Sequence, residues 1–223
     1  MLLALVIMIG QSHESSAQSP TCEGLFQPVN LYTNTELRTE DFHGKSIQFR
    51  EIVSSSMRDG FVRASELNPR NAFFIGIQSN GHAYLLKGAH RIDTSLFYGR
   101  PVLRDSNNVS FTTGFIMRIE DPSGETLKRL SVFFRNQADR ERAQRSPRAL
   151  TCVSGVCKIL RSHAKVRLDG WGPRLLKPET FFRRLVLGAI TDQKGKPLSV
   201  DLFMLGYSSL AQFEETLIRS RED

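Results

Sequence analysis

The sequence predicts an α+β protein in which an antiparallel β-sheet or partial barrel packs against helices. Three observations indicate this class. Short β-branched and aromatic runs occupy residues 45–120, helical periodicity occupies residues 121–190, and a final strand and helix fall within 197–220. The chain has 223 residues, 40% of them hydrophobic and 24% charged, which is typical of a folded globular protein. We therefore expect a single α+β domain over residues 18–223.

The strand-rich half is divided by glycine, asparagine and proline residues that are typical of turns. Asn80-Gly81 lies between two apolar runs and predicts a β-hairpin at that point. The apolar and β-branched runs predict strands over residues 46–53, 71–78, 82–87, 94–98 and 109–119.

The helical half begins at Asp121-Pro122-Ser123-Gly124, which precedes an apolar stripe at helical spacing. A second helix is predicted near Cys152 and a third after Pro178. A turn over 192–196, a strand over 198–205 and a last helix follow. Ser209 and Gln212 have the spacing of a capping box for that last helix. The predicted buried side of the third helix carries Phe181, Phe182, Leu185 and Val186.

Residues 1–17 have the pattern of a signal peptide. An apolar run over 2–9 is followed by polar residues and by Ser15-Ser16-Ala17, small residues that suit a cleavage site. We expect a secreted or periplasmic protein that begins near Gln18; the alternative is a buried N-terminal strand. No later segment approaches the roughly 18 apolar residues of a membrane span, which excludes a transmembrane segment there.

Positive charge is concentrated in residues 124–184, which contain 15 Lys and Arg against 5 Asp and Glu. The whole chain carries +7. This asymmetry favours contact with an anionic surface, such as phospholipid or envelope polymer, although a solvated helix face has the same pattern. Nucleic acid is the least favoured partner, because no nucleic-acid motif or interleaved aromatic residue accompanies the charge.

The segment from Thr151 to Cys157 has two interpretations that exclude each other. In one, Ser154-Gly155 is a tight turn and Cys152 forms a disulfide with Cys157. In the other, Thr151 caps a helix, which would separate the two sulfurs by about 7.5 Å along its axis. The apolar periodicity continues to Ala164 and favours the helix.

A cysteine in the first turn of a helix is a candidate nucleophile. The positive end of the helix dipole stabilises an anion there and lowers the pKa of a thiol. A nucleophilic cysteine also needs a base, and His82 opens an apolar strand directly after the predicted hairpin turn. His90, or Asp93 on the next strand, could orient its imidazole. A polar residue that only flanks the turn is the alternative for His82.

Gly81-His82-Ala83-Tyr84-Leu85 and Thr151-Cys152-Val153 together resemble motifs of the circularly permuted papain-like cysteine hydrolases. That group includes relatives of the NlpC-type amidases and of lecithin–retinol acyltransferase. The resemblance covers roughly residues 70–190 and implies that a base-bearing strand precedes a nucleophile-bearing helix. It also implies a third polar residue after the base, for which His90 and Asp93 are the candidates.

Two functions follow from these residues. The first is a secreted thiol hydrolase that acts on an envelope amide or ester, such as a peptide or lipid, with Cys152 as nucleophile and His82 as base. The second is a non-catalytic envelope protein with a Cys152–Cys157 disulfide and a basic surface for anionic partners. No cofactor is expected. A metal site is not predicted, because no histidine pair with ligand spacing accompanies the two cysteines.

Overall fold

The computed structural model describes residues 35–52, 72–87, 90–94, 101–105, 114–121, 123–136, 151–168 and 177–220. It has the α+β architecture that the sequence predicts. The predicted signal peptide, residues 1–17, lies outside the described residues. The helices are α1 (Glu125–Arg135), α2 (Cys152–Ile159), α3 (Pro178–Leu187) and α4 (Leu210–Arg219). The strands are β1 (Thr35–Phe42), β2 (Lys45–Ile52), β3 (Ala72–Gln78), β4 (Ala83–Lys87), β5 (His90–Thr94), β6 (Pro101–Asp105), β7 (Gly114–Glu120), β8 (Arg167–Leu168), β9 (Ile190–Thr191) and β10 (Val200–Leu205).

Eight of these strands form one sheet in the order β1-β2-β10-β7-β3-β4-β5-β6, and β8 pairs with β9 separately. The predicted antiparallel sheet contains one parallel pair, since β10 runs parallel to β2. These two strands are far apart in the chain, so no hairpin constrains their direction.

The predicted strand over 94–98 shares only Thr94 with β5, which begins four residues earlier at His90. Residues 95–98 lie outside the described residues. The strand predicted over 109–119 corresponds to β7 from Gly114 onward, and its residues 109–113 lie outside the described residues. Strand β1 was not predicted because its sequence, TELRTEDF, is mostly polar and its side chains are largely exposed at the sheet edge.

The helix starts follow the local sequence signals. Asp121 accepts a hydrogen bond from the backbone N–H of Leu127, which confirms the predicted start of α1. Pro178 occupies the first turn of α3, where its missing N–H costs nothing. Ser209 accepts from Gln212 N–H at the start of α4. The predicted helices at Asp121, Cys152, Pro178 and Ser209 are all present.

The core lies between the sheet and the helices, and Phe182 of α3 is at its centre. Its ring meets Phe115 of β7 and Phe213 of α4 edge-on, each at a centroid distance of 5.0 Å, and Phe42 of β1 at 5.7 Å. Edge-to-face pairs of this kind add about 0.5–1.5 kcal/mol each beyond the area they bury. All four predicted apolar residues of α3, from Phe181 to Val186, are buried.

A carboxylate from the edge strand completes the cap of α4. Glu40 accepts hydrogen bonds from the backbone N–H of Leu210 at 2.7 Å and of Ala211 at 3.0 Å, and from the hydroxyl of Ser209 at 3.1 Å. These N–H groups have no partner within the helix, and a negative charge also favours the positive end of its dipole. The otherwise polar strand β1 is thereby tied to α4.

We expect Glu40→Ala to destabilise the protein by about 0.5–2 kcal/mol, the usual cost of losing a helix cap. Urea denaturation measures this change. Glu36→Ala on the same strand is the matched control, because the Glu36 carboxylate forms an exposed ion pair with Arg38, and its loss should change stability by no more than about 0.5 kcal/mol. Equal losses in both variants would contradict the capping role.

Candidate functional site

His82 is held at the start of β4 by the turn that follows β3. Gln78 N–H donates to the carbonyl of His82 at 2.9 Å, and Gly81 N–H donates to the carbonyl of Gln78 at 2.8 Å. Asn80 accepts from the His82 N–H through its side-chain oxygen at 3.0 Å. The Asn80-Gly81 hairpin predicted from sequence is therefore present, and it fixes the backbone on both sides of His82.

Only glycine suits position 81. Its φ of +78° is a left-handed conformation that side chains disfavour. A Cβ atom there would also lie 2.9 Å from Cγ of Pro178, the first residue of α3. The hairpin turn and the beginning of α3 thus approach each other closely beside His82.

Cys152 is the first residue of α2, after a reciprocal cap. The Thr151 hydroxyl accepts from Ser154 N–H at 3.1 Å, and the Ser154 hydroxyl accepts from Thr151 N–H at 2.9 Å. A capping box normally has Glu or Gln in the place of Ser154. Because serine is uncharged, the first turn carries no acidic residue that would compete with an anion at Cys152.

The structure brings Cys152 and His82 together. Helix α2 packs on strands β4 and β5, and its first residue meets the beginning of β4. The Cys152 sulfur accepts a hydrogen bond from Ala83 N–H at 3.4 Å and lies 3.7 Å from the carbonyl oxygen of Gly81. The Cys152 sulfur also has a hydrogen bond with the His82 side chain. Three consecutive residues of the hairpin therefore surround the thiol.

This environment lowers the pKa of Cys152. Burial alone would raise the pKa, because the thiolate loses water. The His82 side chain opposes this through its hydrogen bond and its charge, and the backbone N–H groups of Ala83 and Val153 add to the effect. The net result is a thiol that ionises below its ordinary range, which is the requirement for a cysteine nucleophile at neutral pH.

Cys157 provides the contrast within the same helix. It is also a free thiol, so the disulfide alternative for Cys152 and Cys157 is not formed, and the helical interpretation is confirmed. Burial raises the pKa of Cys157, which has no histidine hydrogen bond to offset it. The low thiol pKa is therefore a property of position 152 rather than of α2 as a whole.

The two candidates for orienting His82 differ in register. Asp93 lies opposite Tyr84, two residues from His82, whereas His90 lies opposite Lys87. Lys87 is five residues from His82, about 16 Å along an extended strand. The register therefore keeps Asp93 near the histidine and separates His90 from it.

Tyr84 is a neighbour of His82 that the sequence analysis did not single out as a site residue. Its ring stacks near the imidazole at a centroid distance of 6.4 Å, and it lies across Gly76 of β3, where a Cβ atom would be 2.0 Å from the ring. The i, i+2 spacing of the two residues in a strand was the available signal, since such residues share a face.

His43 and His163 make contacts with other parts of the protein. His43 contacts the Glu214 carboxylate at 2.9 Å, and the His163 ring packs on Phe133 at 4.3 Å. Within the described ranges, no three His, Cys, Asp or Glu residues come together as metal ligands. In the same ranges, no helix combines the length and apolarity that crossing a bilayer requires.

Comparison with known proteins does not identify the function of this site. No family model matches the chain, and no curated protein or solved structure is detectably similar to it. The resemblance to permuted papain-like hydrolases therefore rests on the residues around His82 and Cys152.

The two thiols of α2 should react very differently. We expect iodoacetamide to modify Cys152 at a lower pH than Cys157, because the pKa of Cys152 is lowered and that of Cys157 is raised. Peptide mapping by mass spectrometry gives the two rates as a function of pH. Faster reaction at Cys157, which is the more exposed of the two, would show that access rather than ionisation controls the chemistry.

Proposed function

We propose that the protein is a thiol hydrolase, of the amidase, peptidase or acyl-transfer type, with Cys152 as nucleophile and His82 as general base. The observation that carries the proposal is that the Cys152 sulfur, at a helix start, lies against Gly81 and Ala83 on either side of His82, whose side chain lowers the pKa of the thiol. A nucleophile beside a base, both held by backbone contacts, is the arrangement that covalent catalysis needs.

The reaction has two halves. The Cys152 thiol gives its proton to His82, and the thiolate attacks the substrate carbonyl carbon, forming a C–S bond as the carbonyl π electrons move to oxygen. Collapse of this intermediate breaks the C–N or C–O bond, and the imidazolium protonates the leaving amine or alcohol. His82 then deprotonates water, which attacks the thioester and releases the acid and the free thiol.

The beginning of α2 can stabilise the negative oxygen of both intermediates. Within the first turn, Ser154 N–H bonds to the Thr151 hydroxyl and Gly155 N–H bonds to the Thr151 carbonyl. The N–H group of Cys152 comes before these in the first turn. It is our candidate for the oxyanion hole, since preorganised backbone donors are effective there.

The order of elements supports the permuted papain-like resemblance as part of the proposal. Strand β4 precedes helix α2 in the chain, and the base-bearing beginning of the strand meets the nucleophile-bearing beginning of the helix. In this scheme Asp93 is the candidate for orienting His82. The predicted signal peptide adds the proposal that the substrate is an amide or ester of the cell envelope.

An activated ester tests the chemistry without knowledge of the natural substrate. We expect p-nitrophenyl acetate to release nitrophenolate and to acetylate Cys152, as seen by intact mass and peptide mapping. Cys152→Ala should abolish this turnover, whereas the matched variant Cys157→Ala should retain it. His82→Ala should slow it by at least about 100-fold, the usual contribution of a general base.

Thermal unfolding of each variant separates catalysis from folding. The proposal predicts that His82→Ala loses turnover while its melting temperature stays close to that of the parent. Wild-type protein that forms no acetyl-Cys152, or a Cys152→Ala variant that hydrolyses the ester at the parent rate, would contradict the proposal and favour the non-catalytic alternative.

A further inference from the structure

A second feature, away from the thiol, is a basic cleft at the other end of α2. Helix α2 continues into a π-helical turn, Leu160–Ala164, which leads through Lys165 into β8. The cleft there has a volume of about 490 Å³. It is lined by Arg161, Lys165, Val166, Arg167, Leu168 and Gln193.

The backbone conformation after the helix places Lys165 and Arg167 at the surface. Lys165 has a φ of +59°, and both its N–H and that of Val166 donate to the Leu160 carbonyl, which ends the helix. The chain is extended from there, so exposed and buried residues alternate. Lys165 and Arg167 are exposed, whereas Val166 and Leu168 are buried and form an apolar floor.

The lining of the cleft is cationic. In the described part of the chain, none of Arg161, Lys165 and Arg167 has a carboxylate partner. Arg129 of α1, which also pairs with Glu125 at 4.0 Å, lies beside the cleft, and its guanidinium donates to the side-chain oxygen of Gln193 at 2.6 Å. That bond occupies the Gln193 acceptor and leaves its N–H₂ group, a further donor, in the cleft lining.

We infer that this cleft binds a phosphate-bearing anion through Arg161, Lys165 and Arg167. Guanidinium groups match phosphate oxygens in a bidentate geometry, and lysine adds a compact positive charge. A phosphate group carries up to two negative charges, which suits several cations better than a single carboxylate does. The volume is in the range of small-molecule sites.

The cleft is separate from the proposed catalytic thiol. Cys152 and Ala164 stand at opposite ends of the same helical run, about 18 Å apart along its axis. The inference therefore does not depend on thiol chemistry, and binding can be measured in protein that has no hydrolytic activity.

The test is isothermal titration calorimetry with inorganic pyrophosphate at fixed ionic strength. We expect the wild-type protein to bind one equivalent, and Arg161→Gln/Arg167→Gln to bind at least about tenfold more weakly, because two charge-assisted contacts are lost. The matched control is Arg38→Gln/Arg219→Gln, which removes the same charge from β1 and α4, elements that do not line the cleft. It should bind within about twofold of wild type.

Two results would overturn the inference: no pyrophosphate binding by the wild-type protein, or equal weakening in both double variants, which would indicate diffuse attraction by net charge. Binding to lipid vesicles distinguishes a lipid headgroup from a free phosphorylated compound as the source of the phosphate group. Binding to phosphatidic acid vesicles that pyrophosphate displaces indicates a lipid headgroup, whereas binding of pyrophosphate alone indicates a free phosphorylated compound.

Discussion

The site depends on one contact, between the first residue of α2 and the first residues of β4. The Cys152 sulfur is held by the N–H of Ala83 and by the side chain of His82, and both belong to the hairpin that begins β4. The turn residue Gly81 fixes that hairpin and also packs against Pro178 at the beginning of α3. A thiol, an imidazole and a helix dipole thus meet because three elements converge on one tight turn.

The electrostatics of the two thiols shows why the contact matters. Both cysteines lie on α2, and burial opposes ionisation in both. At Cys152 the histidine and the backbone donors outweigh burial, and no carboxylate in the first turn competes with the thiolate. At Cys157 burial dominates, and the pKa of that thiol rises. The same helix therefore holds one thiol that ionises below its ordinary range and one that stays protonated.

Local signals predicted the parts of the site well. The Asn80-Gly81 turn, the cap at Thr151 and the apolar face of α2 all depend on neighbouring residues, so they could be inferred from sequence. The meeting of Cys152 and His82 was a hypothesis from two such signals, because a contact across 70 residues leaves no local mark.

Long-range features were beyond the sequence. The position of β10 beside β2, the cap that Glu40 provides for α4, and the mostly polar edge strand β1 all depend on tertiary contacts. The expectation of a basic surface over 124–184 did not indicate the cleft, which is formed where a π-helical turn ends and the chain becomes extended at Lys165.

Ionisation of Cys152 tests its contact with His82 most directly. In a protein with Cys22 and Cys157 replaced by serine, the ultraviolet absorbance of the thiolate reports Cys152 alone. We expect a titration midpoint below the value of about 8.5 for an ordinary cysteine, and a higher midpoint after His82→Ala, because burial then acts on the thiol without the opposing histidine. A midpoint at or above 8.5 in the parent, or one that His82→Ala leaves unchanged, would contradict this expectation.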